Sequence, residues 1–283
     1  MGDRPGPVLV TGANSGIGLA ATLRFASRGW ETWGTVRSSA KADVLADAAS
    51  AVGVADRVHP VVLDVSDHDT VVERWPELPG FYAVVNNAGY SELGAVEEVS
   101  ASEVRRQLDV NLIAPAVVSS CALPAMRARG SGRIVMISSI AGRAAILPLN
   151  GWYHASKFGL EALSDVLRME VASFGVKVSV IEPGFFKTEI EQRAKARAAE
   201  REAVSGSQYQ RAYARMQQVT DLVTTFAPPP SIVARTVVSA VESSRPQQRY
   251  LVGVDALGIA VTNPLVPRQV SDAIARLVAD LRR

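Results

Sequence analysis

Short, largely apolar runs alternate with longer segments of helical spacing along almost the whole chain. The runs Val8–Val10, Thr32–Val36, Val58–Leu63, Ala83–Asn86, Arg133–Ser138, Lys177–Ile181 and Tyr250–Val252 read as strands. The segments Ile17–Arg28, Ala40–Val52, Asp67–Trp75, Tyr153–Phe174, Ser231–Ser243 and Val270–Arg282 read as helices, and Ser102–Met126 as one long helix or a broken pair. Strands that are apolar throughout must be covered on both faces, which is the condition of a parallel sheet flanked by helices. The expected class is α/β, a doubly wound parallel sheet with helices on both faces. At 283 residues and 48% hydrophobic, the chain suits one large α/β domain as well as two small ones.

Composition narrows the function. A net charge of +2, with no dense Lys/Arg tract, gives no reason to expect a nucleic-acid partner. Cys121 is the single cysteine, so no internal disulfide is possible, which suits a reducing, cytoplasmic setting. It lies in an apolar helical stretch and reads as a small core residue. Met1–Pro7 does not have the pattern of a signal peptide. No membrane span is expected, because the most apolar stretch, Leu112–Met126, is interrupted by Pro115, Ser119, Ser120 and Pro124. No metal site is expected.

One insert breaks the rhythm. Residues Lys187–Pro230 are rich in Arg, Lys, Glu, Gln and Ala and end in three prolines. They read either as a solvated helix pair or as a mobile cover over a site. The cover is favoured because the insert begins at a strand's C-terminal end, where ligands bind in open α/β sheets.

The stretch TGANSGIG, Thr11–Gly18, follows the first strand and opens the first helix. Such a turn lets a pyrophosphate approach backbone N–H groups at a helix N-terminus. Gly12, Gly16 and Gly18 are spaced G-x-x-x-G-x-G, unlike the common G-x-G-x-x-G fingerprint. Asn14, Ser15 and Ile17 complete the turn. The second strand ends in Arg37 and Ser38 where a ribose-reading carboxylate is usual. Arg37 suits a 2′-phosphate, with Ser38 adding a hydroxyl, and this favours NADP(H) over NAD(H). An ordinary surface arginine is the alternative. Asp64, followed by Val65, is placed to accept from an adenine amino group or to cap a helix.

YHASK puts Tyr153 and Lys157 four residues apart, on one helical face. A nearby ammonium favours the phenolate and brings a tyrosine, ordinarily near pKa 10, toward acid/base use. His154 lies on another face and reads as structural. Ser138 and Ser139 close a strand, where a hydroxyl can donate to a carbonyl oxygen. NNAG, Asn86–Gly89, follows another strand and supplies Asn87, Ala88 and Gly89 to the site floor. Asn111 sits inside the long helix and either bonds backbone or holds a water.

These motifs, in this order and followed by Pro183-Gly184 and Thr188, resemble the short-chain dehydrogenase/reductase family from Val8 to about Thr188. The resemblance implies one Rossmann-type domain over residues 1–283 with about seven strands. It implies hydride transfer between NAD(P)H and a carbonyl or alcohol, and a homodimer or homotetramer packed through the long helices. It assigns Tyr153 as proton donor or acceptor, Lys157 as its partner on the nicotinamide ribose, Ser139 as the group orienting the substrate oxygen, and Asn111 as support for a water. Pro183, Gly184 and Thr188 then flank the nicotinamide, with Ile181 or Phe185 at the ring. Ile140, Leu147, Trp152, Phe185 and Phe186 form a mostly apolar wall, which suits a hydrophobic ketone, aldehyde or secondary alcohol. The Arg37 region and the insert are similar to the hydroxysteroid and retinol branch. An NAD-linked alcohol dehydrogenase and a non-catalytic NADP(H) sensor are the alternatives. The segment 263–283 ends in a helix whose stripe Val270, Ile274, Leu277, Val278 and Leu281 must bury somewhere.

Overall fold

The computed structural model describes residues 5–204 and 206–281. Met1–Arg4, part of the segment read for a signal peptide, and Arg282, the last residue of the final predicted helix, lie outside them. Seven strands form one parallel sheet. They are β1 Val8–Thr11, β2 Thr32–Val36, β3 Val58–Val62, β4 Ala83–Asn86, β5 Gly132–Ile137, β6 Val176–Pro183 and β7 Arg249–Val252. Their order is β3-β2-β1-β4-β5-β6-β7. The chain winds outward from β1 to β3, then returns to β4 on the other side of β1. The C-terminal ends of β1 and β4 therefore border the crevice where the winding reverses, the binding position of such sheets.

Alternation along β1 explains the two-sided cover. Val8 and Val10 enter one core with Phe25, Leu45 and Val237; Leu9 enters the other with Val118, Met126 and Leu160. The first face is covered by α1 Gly16–Ser27, α2 Ser39–Ala51 and, after the insert, a helix at Ser231–Glu242. The second is covered by α3 His68–Arg74 and by helices that run up to the site. Each fully buried Leu, Val or Phe contributes about 1.5–3 kcal/mol by leaving water.

The predicted helix at Ser102–Met126 is neither simple nor broken. It runs continuously as α4 Ala101–Leu108, a π-turn at Asp109–Ile113, and α5 Ala114–Arg129. Pro115 and Pro124 do not divide it, so the 29-residue helix is long and apolar enough to span a membrane by length and composition. Here Ala114, Val118, Ala122, Leu123 and Met126 pack against the sheet. Cys121 is half-buried against the same core, and burial pushes its thiol pKa up.

Beyond β5, α6 Gly151–Val171 carries the Tyr–Lys pair. The insert is two helices, α7 Glu189–Glu202 and α8 Gln210–Phe226, and α9 is the Ser231–Glu242 helix. α10 Val254–Thr262 was not foreseen, because its all-round apolar run has no helical stripe. α11, Arg268–Val278, is shorter than expected. Among the described residues, the expectation that its stripe buries is met only in part. Val270, Ile274 and Leu277 stay about half exposed, and only Ala279 and Leu281 reach a core, beside Tyr213 and Met216.

Candidate active site

The glycine-rich turn takes its shape from backbone that only glycine adopts easily. Gly12 has φ +66° and Gly16 φ +53°, both left-handed. A Cβ on Gly12 would meet Ala88 Cα at 3.1 Å. Ser15 is the N-cap of α1 without a side-chain cap bond, and the first turn holds no acidic residue. The positive end of α1 thus opens on the cavity beside Gly12, Asn14, Ser15, Gly16 and Ile17. Gly18 is corrected: it does not line the cavity. A Cβ there would meet Gly12 O at 2.3 Å and Asn87 Nδ2 at 2.4 Å, so Gly18 lets α1 pack against the turn.

The switch point is laced shut by side chains. Asn87 Nδ2 donates to Thr11 O at 2.9 Å and Gly12 O at 3.2 Å. Thr11 Oγ1 accepts the N–H groups of Asn87 and Ala88 at 3.0 and 2.9 Å. These bonds hold Asn87, Ala88 and Gly89 along the cavity floor. The cavity has a volume of about 530 Å³ and runs from the ends of β1, β2 and β3 to the insert.

Arg37, Asp64 and Val65 line its outer end. Ser38 is corrected: it is an exposed N-cap of α2 and does not line the cavity, whereas Lys41, one turn on, does. Asp64 caps no helix; its Oδ1 accepts from Ser66 N–H at 3.0 Å and Ser66 Oγ at 2.7 Å, while Asp67 caps α3.

α6 presents Tyr153 and Lys157 to the cavity. Lys157 Nζ lies 5.7 Å from the Tyr153 ring centroid and donates to Ile137 O at 2.9 Å. Lys157 is buried, and that burial brings its pKa down to about 8 against the opposing pull of the Glu161 carboxylate. Ser139 also lines the cavity, where its Oγ accepts from Ala141 N–H at 3.1 Å. Ser138 lines the cavity as well but is buried, with its Oγ beneath Gly142 and toward Glu161. His154, read as structural, lines the cavity too and pins the serine turn. Its Nε2 accepts from Leu147 N–H at 3.4 Å, which leaves Nδ1 to donate to Ala141 O at 2.8 Å.

Asn111 sits in the π-turn, a distortion frequent at functional sites. Its Nδ2 donates to Tyr90 O at 2.8 Å and Ser156 Oγ at 3.0 Å, and its Oδ1 accepts from Tyr90 N–H at 3.0 Å. A Cβ on Gly89 would lie 3.3 Å from that Oδ1 and 3.6 Å from Lys157 Nζ, so Asn111 and Lys157 face the same small space. Pro183, Gly184 and Thr188 line the cavity, and Thr188 packs against Gly16 across its mouth.

Of the expected wall, Ile140, Leu147, Phe185 and Phe186 line the cavity. Trp152 is corrected: it is absent from the lining, and its Nε1 donates to Val96 O at 3.3 Å. Ile181 is corrected likewise, being fully buried in the core. The insert forms a helix pair, and residues of both helices line the cavity. Met216, Val219 and Val223 of α8 face the cavity, a spacing of i, i+3, i+7 that helical periodicity alone would have shown. α7 is clasped to the loop after β4. Arg201 donates to Leu93 O and Glu98 O at 2.8 and 3.0 Å and pairs with Glu92 and Glu103 at 3.3 and 3.1 Å. Tyr213 of α8 accepts from Ala95 N–H at 2.8 Å and donates to Glu98 at 2.6 Å.

The cavity fits a dinucleotide on the chain's own features. Two left-handed glycines and an uncapped helix start suit a pyrophosphate, and Arg37 suits a further phosphate. When bound, such a cofactor supplies a hydride; Gly12–Ile17, Arg37 and Asn87–Gly89 are the residues placed to hold it.

Comparison with known proteins agrees. Residues 7–199 match the model of the short chain dehydrogenase family. The chain is 32% identical to human retinol dehydrogenase 5, covering 94% of this chain and 86% of that protein. It is 30% identical to the NADPH-dependent 3-dehydrocapnine reductase of Ornithobacterium rhinotracheale, covering 94% of each. A solved short-chain dehydrogenase/reductase from Burkholderia phymatum, in complex with NAD, is 25% identical with a TM-score of 0.78, covering 97% of this chain and 96% of that one. Solved structures of this fold hold NADP in some cases and NAD in others.

Proposed function

This chain belongs to the short-chain dehydrogenase/reductase family of oxidoreductases, and we propose that it uses NADPH to reduce a ketone or aldehyde of a hydrophobic small molecule, reversibly. The observation that carries the reading is the meeting of Tyr153, Lys157 and Ser139 at one cavity whose far wall is apolar. Ser139 and Tyr153 hydroxyls bond the substrate oxygen, and Tyr153 gives its proton to that oxygen as the carbonyl carbon is reduced. Lys157 sets the charge beside the phenol, and Asn111 holds the backbone that borders Lys157. Phe185 and the α8 face of Met216, Val219 and Val223 exclude water from the apolar part of the substrate.

NADPH is favoured over NADH because Arg37 stands at the end of β2 with no carboxylate in the segment Thr35–Ser38. The names of two relatives, a retinol dehydrogenase and a 3-dehydrocapnine reductase, support a hydrophobic alcohol or carbonyl. A cytoplasmic homodimer or homotetramer completes the proposal. Phe158, Val166 and Met169 leave an exposed apolar strip along α6, and Ile113 lies exposed at the start of α5. Light scattering on the purified chain tests the assembly.

The test of function is NADPH consumption against a panel of hydrophobic ketones and aldehydes, with NADH in parallel. Turnover with NADPH supports the reading. Turnover mainly with NADH keeps the oxidoreductase and removes the cofactor preference. Tight NADPH binding with no turnover on any panel member favours the sensor.

A further inference from the structure

Three arginines line the cavity, and two of them face it without a carboxylate. Arg197 of α7 is held by Glu200 at 2.7 Å and Glu92 at 3.3 Å. Arg37 after β2 and Arg106 on α4 are exposed, and among the described residues neither guanidinium makes a hydrogen bond or ion pair. Arg106 shares a helical face with Val110, four residues on, and Val110 lines the cavity with Val65. Arg37 and Arg106 thus reach the outer end of the cavity from two different elements.

Tyr90 stands with them. Tyr90 lines the cavity, and its hydroxyl oxygen is buried with no partner among the described residues. Its backbone is fixed on both sides. Asn111 bonds its N–H and its carbonyl, and Gln107 Nε2, next to Arg106 on α4, also donates to that carbonyl at 3.3 Å. Burial, the largest effect, and the Glu92 carboxylate push the pKa of the phenol up to about 12, against the opposing charges of Arg106, Arg197 and Arg37. Tyr90 therefore keeps its proton and remains a donor at any ordinary pH.

Two guanidinium forks and one O–H donor, all without acceptors, call for an anion rich in oxygen acceptors. Guanidinium geometry matches phosphate in particular. We propose that Arg106 and the Tyr90 hydroxyl join Arg37 in a three-sided site for the 2′-phosphate of NADPH. The inference rests on the NADPH reading above and adds two residues from outside β2. It makes α4 a reader of the cofactor, so the long helix that carries Asn111 at its π-turn also senses which dinucleotide is bound. An anionic group on the substrate is the other source of such chemistry, and the experiment separates the two.

The test is direct binding of NADPH and NADH to the full chain, without substrate, by calorimetry or cofactor fluorescence. The variants are Arg37→Ala, Arg106→Ala, Arg106→Lys, Tyr90→Phe and the Arg37→Ala/Arg106→Ala pair. Arg106 is exposed, so its replacement leaves the core intact. Arg106→Ala is expected to weaken NADPH about ten- to a hundredfold, the range of a hydrogen bond to a charged group, with NADH within about twofold. Arg106→Lys restores part of the loss, and Tyr90→Phe weakens NADPH several-fold. A collapsed preference in Arg37→Ala beside an unchanged one in Arg106→Ala overturns this inference and leaves the NADPH reading standing. An unchanged preference in both single variants and in the pair removes the NADPH reading itself. Equal weakening of both dinucleotides by Arg106→Ala assigns Arg106 to the shared part of the cofactor and overturns the proposal. Unchanged cofactor binding with a raised substrate KM places the anion on the substrate and overturns it too.

Discussion

Lys157 Nζ donates to the Ile137 carbonyl at 2.9 Å, so the buried ammonium is anchored to the last residue of β5, two before Ser139. One side chain thereby fixes the distance between the helix that carries Tyr153 and the strand that carries the serine turn. The anchor also has a thermodynamic cost, because the ammonium loses its water.

That cost is visible as a pH dependence of stability. The unfolded chain keeps the lysine proton up to about 10.5, whereas the folded chain releases it near 8. Between these values the unfolded state binds more protons, so stability rises with pH across that window; below about 8 the cost is present in full. Urea midpoints measured from pH 7.5 to 10 should climb more steeply for the parent than for Lys157→Met. Parallel curves for the two would contradict the assignment of the slope to Lys157.

Tyr153→Phe removes the proposed proton donor while keeping the ring. Turnover should fall about 10²–10⁴-fold, the usual contribution of a positioned acid or base. NADPH affinity, read separately by fluorescence, should change little. A variant with parental turnover would place the proton elsewhere.

His154 should make the enzyme acid-sensitive. Burial lowers its pKa, and its neutral ring holds both Ala141 O and Leu147 N–H. The unfolded chain takes up the proton near 6.5 and the folded chain resists it, so this stabilisation is intact above 6.5 and is lost as pH falls below it. The slope reaches at most about 1.4 kcal/mol per pH unit. Thermal midpoints between pH 7 and 5 should drop further for the parent than for His154→Gln. Protonation also ends the Leu147 N–H bond, which frees one wall of the cavity.

Gly18→Ala is expected to be the most damaging single methyl in the glycine-rich turn. The added carbon meets Gly12 O and Asn87 Nδ2 closer than real contacts allow; the first is backbone, and the second is held by its bonds to Thr11 O and Gly12 O. Overpacking of this kind costs about 1–3 kcal/mol or more. Gly53→Ala, where nothing lies within 4 Å, serves as the comparison and carries only the strain of φ +71°. Chemical denaturation of the two variants measures the difference. A smaller loss in Gly18→Ala than in Gly53→Ala would show that the turn relaxes.

The strands, the helices on each face and many of the residues that line the crevice were legible along the chain. Buried parallel strands announce themselves by unbroken apolar runs, and β2 and β4 lie where those runs do. The turn Gly12–Gly18 and the pair Tyr153–Lys157 were legible because their meaning lies in spacing within one element. What lay beyond reach depends on how elements meet. Trp152 is one residue from Tyr153, yet its indole turns to Val96, because the loop after β4 packs there. Ser38 is one residue from Arg37, yet the start of α2 turns it to solvent. Arg106 gave no signal of its own, since an exposed arginine on a polar helix face looks the same whether or not a cavity lies beneath it. The α11 stripe shows the reverse limit. Its spacing states that an apolar face exists, but among the described residues Ile274 and Leu277 stay about half exposed. Periodicity records which side of an element is apolar; only the packing of elements from distant parts of the chain decides what that side faces.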